Sequence, residues 1–190
     1  VTGTASGAPP QIQNINFVIN PGAGPTINTQ PVSQTVCQGN PASFSIAATG
    51  ATAYQWQKST DGGANWNNIG GATATSYSIA SVVPGDAGLY RCVTTGQCGT
   101  TNSINATLIV NTAPVVTTQP LDVTLCAGNS HTFTVAATGA GLGYQWQSAS
   151  SCGGSFTNIT GATSPTLIVT AATTTAYRCI ISGTCTPPAT

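Results

Sequence analysis

The sequence predicts an all-β chain of two tandem β-sandwich domains, and three observations carry that expectation. A pattern the size of one small domain occurs twice. Apolar residues alternate with polar ones in short runs. Gly and Pro dipeptides punctuate those runs, and no useful stretch carries a helical period.

The repeat comes first because it sets the domain count. "TQPVSQTVCQGN" (29–40) matches "TQPLDVTLCAGN" (118–129), and "FSIAATG" (44–50) matches "FTVAATG" (133–139). "YQWQ" occurs at 54–57 and 144–147, and "YRC" at 90–92 and 177–179. "NNIGGAT" (67–73) matches "TNITGAT" (157–163). Cys126 follows Cys37 by 89 residues, Trp146 follows Trp56 by 90, and Cys179 follows Cys92 by 87. That period suits a small sandwich rather than a solenoid unit. The predicted boundaries are 1–20 for an N-terminal strand segment, 21–111 for domain 1 and 112–190 for domain 2.

Each unit reads as strands with one buried face. Phe44, Ile46 and Ala48 alternate, and so do Phe133, Val135 and Ala137. Tyr77 with Ile79, and Leu167 with Val169, mark a later strand. Ala106, Leu108 and Val110 mark the last strand of domain 1. Gly62-Gly63, Pro84-Gly85 and Gly153-Gly154 mark turns.

Composition excludes several functions. Of 190 residues, 40% are hydrophobic and 3% charged. The charged set is Lys58, Arg91, Arg178, Asp61, Asp86 and Asp122, and the net charge is zero. Nucleic-acid affinity needs clustered Lys and Arg, so no nucleic-acid partner is expected. No apolar run approaches the roughly 20 residues of a membrane span, so no membrane insertion is expected. With His131 as the one histidine and three acids, acid–base catalysis has almost no material, and no enzyme activity is expected. Asp61 with Asp86 falls short of the about six to eight oxygens calcium takes. No cysteine sits in C-x-x-C spacing, which argues against zinc. No cofactor and no metal site are predicted. A neutral surface resists self-association poorly, which suits a protein that assembles. The absence of Met points to a processed product, or to a chain trimmed at both ends.

"DAGLYRC" (86–92) has the form D-x-G-x-Y-x-C, and Trp56 in "YQWQ" precedes it. This combination resembles immunoglobulin-like domains, in particular the tandem Ig-like repeats of bacterial secreted and surface proteins. The resemblance covers 29–110 and 118–185 and implies that Trp56, Tyr90, Cys92, Trp146, Tyr177 and Cys179 form the two cores. It implies an extracellular or cell-surface setting, which seven cysteines also favour. There are departures. Ile46 and Val135 stand where antibody-type domains keep a B-strand Cys, and "TTTAYRC" lacks the corner Asp and Gly.

The ends of the chain do not match. Domain 1 runs on past Cys98 into "INATLIVN" (104–111), its G strand, whereas five residues follow Cys185. Domain 2 is therefore read as lacking its G strand. "QNINFVIN" (13–20) supplies a match: aligning Asn20 with Asn111 puts Ile15, Phe17 and Ile19 on Ala106, Leu108 and Val110. An extended linker from Asn20 to Pro31 reaches at most roughly 40 Å, and each sandwich is about 35–45 Å long, so unless the two domains bend sharply the donor is expected from another molecule. The implied function is a structural subunit of an extracellular filament, a homopolymer joined head to tail by strand donation. The alternative is a repeat segment of a large cell-surface adhesin, with surface glycans as partner.

Five cysteines are disulfide candidates: Cys37, Cys98, Cys126, Cys152 and Cys185. In an Ig-like sandwich Cys37 falls at the lower end of domain 1 and Cys185 at the upper end of domain 2, so the two can meet across the junction. By the same logic Cys126 can meet Cys98 of the next subunit, with Cys152 competing and another intradomain pairing equally open. Trp66 with Tyr77 would make a sugar-stacking platform, against the alternative of plain packing beside strand C′. "NAT" (105–107) and "NIT" (158–160) fit a glycosylation sequon.

Overall fold

The computed structural model describes residues 24–185 together with Gly3 and Gly22. Ile15, Phe17 and Ile19 lie outside the described residues. The described chain is all-β apart from one 3-10 turn at Pro84–Asp86.

Domain 1 packs two layers. In the first, β1 (Thr26–Thr29) pairs antiparallel with β4 (Ala47–Thr49), and β3 (Ala42–Ser45) pairs with β7 (Ser76–Ile79). The predicted B strand is thus split at Ile46, whose N–H donates to Thr75 O at 2.9 Å. One half faces the A strand and the other the E strand. The second layer runs β2 (Gln34–Cys37), β10 (Ala106–Asn111), β8 (Gly88–Gly96), β5 (Ala51–Ser59) and β6 (Asn67–Asn68) in that spatial order, and β9 (Gly99–Asn102) extends β8 as a hairpin. Phe44, Trp56, Tyr90, Cys92 and Leu108 are buried between the layers, with Phe44 stacked on Tyr90 at 4.7 Å.

Among the described residues, domain 2 repeats the plan with fewer strands. β11 (Val115–Thr118) pairs with β13 (Ala136–Thr138), and β12 (Ser130–Thr134) with β16 (Thr166–Thr170). β15 (Thr157–Asn158), β14 (Gly143–Ala149) and β17 (Ala176–Ser182) form the facing sheet. Trp56 lies opposite Cys92 and Trp146 opposite Cys179, so both repeats keep one register.

The identical "YQWQ" has a physical cause. Each Trp is fully buried and donates its indole N–H to a backbone carbonyl, Trp56 to Ala74 at 3.0 Å and Trp146 to Ser164 at 2.9 Å. The preceding Gln donates to the next loop, Gln55 to Ile69 O and Gln145 to Ile159 O. The following Gln accepts from the arginine of "YRC", Gln57 from Arg91 and Gln147 from Arg178. A buried polar group needs such partners, and here every one has them.

"DAGLYRC" forms the corner the resemblance implies. Asp86 accepts from the Val83 N–H at 2.8 Å, and its carbonyl accepts the Tyr90 hydroxyl at 2.7 Å. Gly88 has φ 149°, and a Cβ there would sit 2.5 Å from Ser59 O, so only glycine lets β8 approach β5. Domain 2 has Thr175 at that position, and Tyr177 makes no such bond among the described residues. Tyr90→Phe is therefore expected to cost about 1 kcal/mol of domain 1 stability, and Tyr177→Phe close to nothing, in denaturant melts that follow each domain.

In the loop after β5, Asp61 accepts from the Asn65 N–H at 2.9 Å, the Ser59 hydroxyl at 2.7 Å and the Asn65 side chain at 2.7 Å. These bonds, the Asn65 N–H foremost, hold its carboxyl down to about 2. The arrangement is a turn stapled on itself. No metal-binding group of three or more ligands occurs among the described residues.

Candidate functional site

The two repeats differ most along one edge. In domain 1, β10 lies between β8 and β2. It runs antiparallel to β8 (Ala106 opposite Tyr90, Leu108 opposite Gly88) and parallel to β2 (Leu108 beside Gln34, Asn111 beside Cys37). Ala106 and Leu108 enter the core, and Phe44 and Tyr90 beneath them are each 1% exposed.

In domain 2, β17 pairs with β14, and no strand pairs with its other edge among the described residues. The counterpart of β2, residues 123–126, forms no strand either. The edge borders a cavity of about 520 Å³ lined by Val123, Leu125, Phe133, Val169, Thr175 and Tyr177. A further 230 Å³ opens beside Val116, Pro120 and Cys179. Phe133 and Tyr177, counterparts of the buried Phe44 and Tyr90, are half-buried. Tyr177 was expected in the core with Tyr90; it packs against the core but keeps one face on the groove. Leu121, at 81% exposed, lies near the groove's rim in sequence.

The groove's chemistry follows from its parts. An unpartnered strand edge offers alternating N–H and C=O groups to another strand. Apolar side chains share the lining with Thr124, Thr173, Thr174 and Thr175, and of the lining residues Arg178 alone is charged, with Asp122 next to Val123 in sequence. Arg178 is already engaged, its guanidinium 4.3 Å from the Phe156 ring. The site suits an extended, uncharged segment with apolar side chains on one face.

The remaining predicted residues fall as follows. Cys37, at the end of β2, is bonded to Cys185, just past β17, with Cα atoms 5.7 Å apart. That is the pairing expected across the junction. Cys98, Cys126 and Cys152 are exposed. Cys92 and Cys179 are buried thiols, and burial pushes both pKa values up, which keeps them protonated and inert. Trp66 and Tyr77 do not form a stacking platform. Tyr77 sits on β7 and packs against the core, while Trp66 flanks β6 with the Arg91 guanidinium 4.1 Å from its ring. His131 lies edge-on to Phe133 at 4.8 Å. Sequence reasoning missed the Arg–aromatic stacks, whose one signal was the recurrence of "YQWQ" and "YRC" together.

A family model described as "Domain of unknown function (DUF8696)" matches residues 26–112 and again 116–190. The chain belongs to this family. Both DUF8696 segments coincide with a sandwich described above, so the family unit is one Ig-like domain.

Among solved structures, the DUF8696 pair is similar to DIP-gamma IG1+IG2, at 15% identity and a TM-score of 0.65, covering 88% of this chain and 94% of that one. It is similar to a three-Ig fragment of titin at 18% identity and a TM-score of 0.59, covering 85% of this chain and 61% of that one. The N-terminal four Ig domains of Dscam1 isoform 6.9 give 18% identity and a TM-score of 0.54, covering 88% and 45%. At these identities the likeness establishes the fold: tandem Ig-like domains. No curated protein matches the sequence.

Proposed function

We propose that this protein is a non-enzymatic structural subunit of an extracellular filament, in which residues 12–20 of one copy fill the groove beside β17 of the next. The observation that carries the reading is the groove itself, seen against domain 1. The repeat supplies its own template for what belongs there.

Laying 12–20 on β10 puts Ile15 opposite Tyr177, Phe17 beside Val123 and Thr175, and Ile19 beside Leu125. Each of these partners lines the larger cavity. The donor side chains Ile15, Phe17 and Ile19 are larger than the Ala106, Leu108 and Val110 they stand for, which suits a groove left partly open. Each apolar side chain contributes about 1.5–3 kcal/mol when fully buried. Because each copy would offer one strand and one groove, the contact is head to tail and does not close. A bacterial origin fits the resemblance, and a secreted or surface location fits the disulfide and the Ig-like fold.

A second reading has one observation in its favour, the likeness to a three-Ig fragment of titin. In it, the chain is a stretch of a longer tandem array, such as an adhesin, and the groove is filled from the same polypeptide.

The test is electron microscopy of the purified chain beside a Phe17→Asp variant. The filament reading expects fibres from the first and monomers from the second, since a carboxylate in the groove loses its hydration without a partner. A chain that stays monomeric at high concentration, with or without the substitution, favours the array.

A further inference from the structure

We infer that Gln119 and Asp122 are the two side chains that hold the backbone of the strand a second copy donates to domain 2. Gln119 takes an N–H of the strand's lead-in, and Asp122 takes an N–H of the strand itself. The inference rests on the strand-donation reading for the source of the strand and adds to it two specificity-determining residues.

Domain 1 shows the arrangement complete. Its chain changes layers between β1 and β2, and residues 30–33 make the crossing. On the way, Gln30 Oε1 accepts the Ile104 N–H at 3.0 Å, and Ser33 Oγ accepts the Thr107 N–H at 2.9 Å. These two bonds hold β10 at its entry, ahead of the parallel ladder that opens with Leu108 beside Gln34. Successive N–H groups of a regular strand point to opposite edges, so positions three apart face one edge only if the chain bends between them. Thr107 lies in β10, which begins at Ala106, and Ile104 lies ahead of it. The two acceptors therefore read a bend followed by a strand.

Domain 2 keeps the acceptors. "TQPVS" (29–33) recurs as "TQPLD" (118–122), which places Gln119 on Gln30 and Asp122 on Ser33 at the same spacing. Gln119 lines the smaller cavity beside Pro120 and Tyr177. Asp122 directly precedes Val123, which lines the larger one. Both residues are exposed, and among the described residues neither side chain makes a hydrogen bond. Pro31, between the two anchors of domain 1, is buried, whereas Pro120 is half-buried.

The exchange of serine for aspartate has a chemical direction. The chain holds three acids. Asp61 accepts the Asn65 N–H and Asp86 accepts the Val83 N–H. Asp122 is the third, and the repeat assigns it the same kind of partner. A carboxylate binds a backbone N–H more strongly than a hydroxyl does. In domain 1 the strand is tethered by its own chain, and a hydroxyl suffices. A strand arriving from another copy has no such tether, so the stronger acceptor suits it. The donating positions must not be proline, which has no N–H, and residues 12–20 contain none.

The test is titration calorimetry on the Phe17→Asp chain with two synthetic peptides. One is residues 103–111, whose N–H partners are seen in domain 1, and the other is residues 12–20. On residues 103–111, Asp122→Ala should weaken binding about tenfold and Gln119→Leu about fivefold. Asp122→Ser installs the residue of domain 1 and should stay within about threefold of the parent. Neither exposed residue supports the core, so the melting midpoint of the free chain should not move. A 103–111 peptide with an ester oxygen in place of the Thr107 N–H should bind about tenfold more weakly, with no further loss on Asp122→Ala. Binding that ignores all these changes overturns the inference and leaves strand donation standing. Anchor-dependent binding of 103–111 without any binding of 12–20 upholds the anchors and sinks strand donation. If neither peptide binds, both fall.

Discussion

A synthetic peptide of residues 12–20, added to the Phe17→Asp chain, should raise the melting temperature of domain 2 by about 10–20 °C and leave domain 1 unmoved. The Phe17→Asp background keeps the chain's own strand from competing. A ligand at 100 times its dissociation constant stabilises the folded form by about 2.7 kcal/mol. For a domain of this size each kcal/mol moves the midpoint by about 4–8 °C. The peptide should also slow amide exchange along β17, whose outer edge has no ladder partner among the described residues. A peptide carrying aspartate at the Phe17 position should do neither. If wild-type peptide leaves both the midpoint and the β17 amides unchanged, the groove is not a strand site. Domain 1 serves as the control within the molecule, because β10 already fills its equivalent edge.

The second large effect is in the core of domain 1. Trp56→Ala should cost about 3–5 kcal/mol and lower that domain's midpoint by roughly 15–30 °C. Trp56 is fully buried, lies 6.1 Å from the Phe44 ring and 6.5 Å from the Tyr77 ring, and donates to Ala74 O. Truncation leaves a cavity on a rigid floor and strands that carbonyl. Trp56→Phe refills part of the space but still leaves Ala74 without its donor, so its cost should fall in between. Calorimetry on the intact chain should show the domain 1 transition move and the domain 2 transition stay. An unshifted domain 1 transition would mean that Trp56 does not organise the core.

Much of this was legible because β structure writes its buried face into the chain every second residue. Phe44, Ile46, Ala106 and Leu108 read as inward and are inward. The "DAGLYRC" corner was legible for a different reason: a tyrosine two residues past a glycine specifies a hydrogen bond and a close backbone approach together. Strand length made a bond between Cys37 and Cys98 difficult and left Cys37–Cys185 as one open pairing among several, and the structure has that pair bonded. Alternation says which face is buried but not which neighbour lies at the edge. The split of the B strand at Ile46 was therefore hidden, and so was the β8–β9 hairpin. The half-burial of Tyr177 was hidden too: "YRC" is shared with Tyr90, while the Asp and Gly that fix the Tyr90 corner are replaced by Thr173 and Thr175. The Arg91–Trp66 and Arg178–Phe156 stacks were illegible because a lone arginine on a strand announces no particular ring.

The Cys37–Cys185 bond has a mechanical consequence. The two cysteines are 148 residues apart in the chain, so the loop they close holds most of both domains. A pull between a point ahead of Cys37 and a point beyond Cys185 travels through sulfur and bypasses that loop. Roughly 500 Å of contour length, which unravelling would otherwise release, is withheld. Under such tension the protein behaves as a strap of fixed length rather than a spring.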